Sequence, residues 1–145
     1  MHAVLGLGGA RPAWRDRRVR AVVGLSPYVA PLLLRDPVVP AEVPVMLQGG
    51  TLDIGVTPDL PALYARLIAP KYLLVLRGEH HLGWTNLASL GVDARAAVRS
   101  GNPRWIVAYA TAFFDQHLRG LDRAGVLARP NRDLESFLYD QRPRR

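Results

Sequence analysis

The chain has 145 residues, about half of them apolar and a fifth charged, which is enough for one hydrophobic core and fits a soluble globular domain. No run of about 18 apolar residues occurs, so the sequence offers no membrane span, and the absence of cysteine excludes disulfides and thiol catalysis. The formal charge of +7 is nearly all arginine, with Lys71 the only lysine, but the arginines are scattered and dense only at 11–20 and 142–145. That scatter argues for compositional bias and against a phosphate-binding face, so no nucleic-acid partner is expected.

In chain order, residues 2–10 are a short apolar segment ending in Gly8-Gly9, as in the last turns of a helix. No charged stretch precedes that segment, so it makes a poor signal peptide. The location is left open: cytoplasmic if Met1 is the true start, with secretion still open if an N-terminal part is missing. VRAVVGL (19–25), VPVMLQ (43–48) and KYLLVLR (71–77) are β-branched and apolar almost throughout, the pattern of strands buried on both faces. Between the second and third, PDLPALYARLIA (58–69) repeats Leu60, Leu63, Tyr64, Leu67 and Ile68 at helical spacing behind a Thr57-Pro58 start. A strand, a helix and a strand in so short a span predict a βαβ crossover between parallel strands.

A longer helical pattern covers 103–119 with Ile106, Tyr109, Ala110, Phe113 and Leu118, and Gly120 stops it. The aromatic residues of 105–114 keep that periodicity and are expected in the core. Residues 121–145 read as a short helix followed by a basic tail. The expected fold class is α/β, one continuous unit with about three parallel strands and flanking helices.

Ligands of open parallel sheets bind at the carboxyl ends of the strands. Three segments leave those ends: Ser26-Pro27-Tyr28, Gly49-Gly50-Thr51-Leu52-Asp53 and Gly78-Glu79-His80-His81. An acid after one strand and a histidine after the next would project from one edge of the sheet. There a carboxylate can accept the imidazole Nδ1–H and leave Nε2 as a general base. His80 competes with His81 for that role, Glu79 is expected in solvent, and Tyr28 and Trp84 are candidates for the wall of a substrate pocket. Adjacent histidines without a helical metal-ligand spacing do not form a metal site, and no cofactor is expected.

The segments RVRAVVGLSPYVAP (18–31), VPVMLQGGTLDIGVTP (43–58), KYLLVLRGEHHLGWTN (71–86) and YATAFFDQHLRG (109–120) together resemble the C-terminal part of an α/β-hydrolase of the dienelactone-hydrolase-like and acyl-esterase-like branch. The resemblance implies a serine hydrolase of carboxylic esters or lactones, with Asp53 as triad acid and His81 as triad base. It also places the G-x-S-x-G nucleophile elbow just before Met1, since none occurs in the chain. The nearest string, Gly24-Leu25-Ser26-Pro27-Tyr28, has proline and tyrosine where the elbow needs a small residue and glycine. By itself the chain is then expected to be inactive or very weak. The alternative is a non-catalytic module of the same fold acting as an oligomer or in a complex, because the strand at 19–25 would be left as an apolar edge.

Overall fold

The structure is a computed structural model that describes residues 16–34, 43–68, 70–85 and 104–141. The segment 2–10 read above as the end of a helix lies outside the described residues, as does the basic end at 142–145. Among the described residues four strands form one sheet in the order β1 (Val22–Leu25), β2 (Val45–Gly50), β3 (Lys71–Leu76) and β4 (Leu134–Asp140). The pairs β1–β2 and β2–β3 are parallel, with Val22 opposite Val45 and Val45 opposite Lys71, whereas β4 runs antiparallel to β3. Helices α1 (Ala30–Leu33), α2 (Leu60–Arg66), α3 (Arg104–Arg119) and α4 (Ala124–Leu127) complete this α/β arrangement.

Every residue of β2 and β3 is buried, because helices cover both faces. On one face Leu60 and Leu63 of α2, with Leu67 just beyond it, pack on Val45, Leu47, Leu73 and Val75. On the other, Ile106, Tyr109, Ala112 and Phe113 of α3 pack on Met46, Tyr72, Leu74 and Leu76. A two-residue alternation therefore sorts one apolar run onto two cores. Each such side chain contributes about 1.5–3 kcal/mol by leaving water.

Strand β1 departs from the expected burial on both faces, since Leu25 is exposed and Val23 half-buried at the rim of the sheet. Among the described residues nothing pairs with its outer edge. At the opposite rim the structure adds a strand, β4, where the sequence pattern gave only a helix and a basic tail. Its Phe137 packs against the core beside α3, and Tyr139 stacks on Tyr72 at 6.5 Å. Phe114 also departs from expectation, being 37% exposed on the outer side of α3.

Helix α3 ends where glycine is needed: Gly120 has φ +70°, and the Leu121 N–H donates to the Asp115 carbonyl at 3.1 Å. The Asp115 side chain accepts from Arg119 at 2.7 Å and from Arg123 at 2.9 and 3.0 Å, which ties the end of α3 to the start of α4. The Arg123 hydrogen bonds, with help from Arg119, hold the Asp115 carboxyl below its ordinary value. At the base of the sheet the buried Lys71 Nζ donates to the carbonyls of Tyr64 and Leu67, a cation closing the C-terminus of α2.

His117 packs 4.8 Å from the Phe113 ring, and its Nε2 lies 3.2 Å from the Tyr72 hydroxyl. Burial pushes its pKa below the ordinary 6.5. The unfolded chain therefore takes up this proton first as pH falls, so the stability that neutral His117 brings is present above pH 6.5 and lost as pH falls toward its depressed folded value. The Asp115 window lies apart, below 3.8. Urea midpoints are expected to fall between pH 7.5 and pH 5.5, and to fall less in His117→Gln. An equal drop in both proteins would remove His117 as the cause.

Candidate functional site

The carboxyl ends of β1, β2 and β3 bring three side chains to one point. Ser26 follows β1 by one residue, Asp53 follows β2 by three, and His81 follows β3 by five. These lengths are what lets neighbours meet: strands lie about 4.8 Å apart, so a residue two strands away needs the longer reach.

Ser26 is anchored by its N–H to the Gln48 carbonyl at 2.8 Å, one step past the β1–β2 ladder, and then turns sharply at φ +42°. Asp53 is held in a turn, its N–H donating to the Gly50 carbonyl at 3.1 Å and its carbonyl accepting from Thr57 at 3.0 Å. The loops after β2 and β3 are laced together: Thr51 N–H to the Leu76 carbonyl at 3.0 Å, Leu52 N–H to the Glu79 carbonyl at 3.1 Å, and Gly78 N–H to Thr51 Oγ1 at 2.9 Å. Gly78 makes the last contact from φ +72°, which glycine adopts without a Cβ penalty. His81 then opens a single 3-10 turn, His81–Trp84.

The resulting contacts are close. The Ser26 hydroxyl donates to Asp53 Oδ2. His81 Nδ1 lies 3.1 Å from that same Oδ2 and 2.8 Å from Ser26 Oγ. Ser26 and Asp53 are buried, at 4% and 5% exposure, while the His81 side chain is 56% exposed.

Counting protons fixes the roles. Oγ and Oδ2 cannot approach without a hydrogen between them, and the ionised carboxylate has none, so the hydroxyl supplies it. Nδ1 likewise cannot face a carboxylate oxygen with a lone pair, so it carries a proton in either charge state of the ring. The neutral ring then has its basic lone pair on Nε2, which has no hydrogen-bond partner among the described residues. His80 makes none of these contacts.

Glu79 is not solvated as expected: it is 3% exposed and tucked beneath the turn that carries His81. Gly83 leaves it room, since a Cβ there would sit 2.3 Å from Glu79 Oε2. Nothing in the string GEHH signals this burial, which depends on the turn folding back over the carboxylate.

An open cleft of about 590 Å³ borders the acid; Asp53 lines it with Gly50, Thr51, Ile54 and Thr57, and with the ion pair of Arg77 and Glu135. Tyr28 and Trp84 are not among its walls. Tyr28 is 65% exposed, and Trp84 is half-buried against the core beside α3. The structure therefore unites Asp53 and His81 and adds Ser26 to them. The signal for Ser26 was its place at a strand end; the turn that aims it inward is not visible in Gly-Leu-Ser-Pro-Tyr.

Among the described residues no group of three acidic or histidine side chains could hold a metal ion, and no helix is long and apolar enough to cross a membrane. No protein-family model and no curated protein matches the chain.

Proposed function

We propose that this chain contributes the acid and base of a serine hydrolase acting on carboxylic esters or lactones, in the manner of the C-terminal part of an α/β-hydrolase. The observation that carries the reading is the contact at His81: Nδ1 lies 3.1 Å from Asp53 Oδ2, on a 56% exposed ring whose Nε2 has no hydrogen-bond partner among the described residues. In that role a serine from outside this sequence attacks the carbonyl while Nε2 takes its proton. The imidazolium, stabilised by Asp53, then returns the proton to the leaving oxygen. Ser26 is a poor candidate for the attacking group, being buried and set on the Nδ1 side of the ring. The missing serine and its oxyanion donors account for the low activity expected of the chain alone, since loss of the serine costs on the order of a million-fold.

The test is the DNA upstream of the first codon and the longer chain it encodes. An in-frame G-x-S-x-G close before His2 is expected, with fluorophosphonate labelling at that serine, read by intact mass, and loss of the label in His81→Ala. Absence of the motif upstream, or a His81-dependent label on Ser26 of the 145-residue chain, would overturn the placement of the nucleophile.

A second reading draws on the outer edge of β1, Val-Val-Gly-Leu, with which no strand pairs among the described residues. A non-catalytic module would use this edge to pair with another chain. Light scattering separates the two, because a well-behaved monomer contradicts the module.

A further inference from the structure

The acid–base scheme needs Asp53 and His81 but assigns nothing to Ser26, although the backbone is held in an uncommon conformation to bring its hydroxyl between them. A φ of +42° lies in the left-handed region, which side-chain-bearing residues adopt where the surroundings impose it. Here the imposition is visible: the Ser26 N–H is fixed to the Gln48 carbonyl at 2.8 Å, and the side chain is 4% exposed.

We propose that Ser26 is a positioning residue that sets the tautomer and orientation of His81 jointly with Asp53; the proposal rests on the acid–base reading of that pair. The His81 ring is 56% exposed, and its outer side has no hydrogen-bond partner among the described residues. Among the described residues its orientation is set from the inner edge, where the two polar atoms within reach of Nδ1 are Asp53 Oδ2 and Ser26 Oγ. The hydroxyl acts on both partners. By donating to Oδ2 it keeps the carboxylate from rotating that oxygen away, and with its own lone pair it takes a share of the Nδ1–H. Removing it leaves an exposed ring on one anchor that is itself freer to turn, and a neutral imidazole so held populates both tautomers.

The experiment is long-range ¹H–¹⁵N correlation of the His81 ring in the ¹⁵N-labelled chain, recorded above the pH at which the ring titrates. Ser26→Gly is the informative variant, because glycine adopts φ +42° without penalty and loses only the hydroxyl and Cβ. Its thermal midpoint is expected to equal or exceed that of the wild type. The wild-type ring is expected almost wholly as the Nδ1–H form, and in Ser26→Gly that form falls to half or less. Ser26→Ala gives the same readout should the glycine variant lose its fold. An unchanged ring in the folded variant overturns the proposal while leaving the Asp53–His81 pair standing. Asp53→Asn marks the other failure: if it too leaves the ring unchanged, the pair itself is not formed, and the role of Ser26 falls with it.

Discussion

Under the proposed serine-hydrolase role, Asp53→Asn is expected to lower kcat about 10⁴-fold in the longer chain that carries the attacking serine, with little change in KM. That is the size of loss expected when the aspartate of a Ser-His-Asp system becomes an asparagine that leaves the geometry intact. The proton count explains the size. Oδ2 receives two donors, the Ser26 hydroxyl and His81 Nδ1–H, and a carboxylate oxygen accepts both. An asparagine with its amide nitrogen at that position presents hydrogens to both partners. The ring then escapes the clash by placing its proton on Nε2, where it can no longer act as base. With the amide oxygen there instead, the geometry survives but the charge that stabilises the imidazolium is gone. Steady-state kinetics on a short-chain ester measures this, and a loss under tenfold would rule out Asp53 as the acid.

How much of this was legible in the sequence depends on how local each cause is. The strands β2 and β3 could be read because helices on both faces require nearly every residue to be apolar, from Val45 to Leu47 and from Tyr72 to Leu76. The crossover helix between them followed from the spacing of Leu60, Leu63 and Leu67, all of which are buried. Strand β4 was not legible. It is a rim strand with a burial pattern that neither alternates nor stays apolar, and Glu135 and Asp140 within it look like parts of a charged tail. What makes it a strand is the exposed edge of β3, a tertiary fact.

The same division runs through the site. The meeting of the loops that carry Asp53 and His81 follows from parallel strands with consecutive carboxyl ends, which sequence order reveals. The inward turn at Ser26 and the burial of Glu79 depend on backbone angles and on what lies above, and no residue pattern encodes either. Tyr28, two residues from Ser26, is 65% exposed, which the sequence does not encode either.

Gly50 couples stability to the site most directly, and three nearby glycines give an ordered test. A Cβ on Gly50 would sit 2.2 Å from the Glu79 carbonyl oxygen and 2.7 Å from its carbonyl carbon. These are backbone atoms, and that carbonyl already accepts from the Leu52 N–H, so relief requires moving the whole segment that carries His81 away from the one that carries Asp53. At Gly49 the obstacles are side-chain atoms, Thr57 Oγ1 at 2.6 Å and Leu60 Cδ1 at 2.7 Å, which yield more easily. At Gly55 nothing lies within 4 Å. Overpacking a well-filled site costs about 1–3 kcal/mol and sometimes more, against a gain of about 0.4–1 kcal/mol from a less flexible unfolded chain. Alanine is therefore expected to be neutral or slightly stabilising at Gly55 and destabilising at Gly49. At Gly50 the loss is expected to reach about 3 kcal/mol, together with loss of the His81 Nδ1–H signature. Urea unfolding of the three variants decides it. A Gly50→Ala protein as stable as Gly55→Ala would mean the two loops can separate without cost, and the close lacing of acid to base would not be what holds this edge of the sheet together.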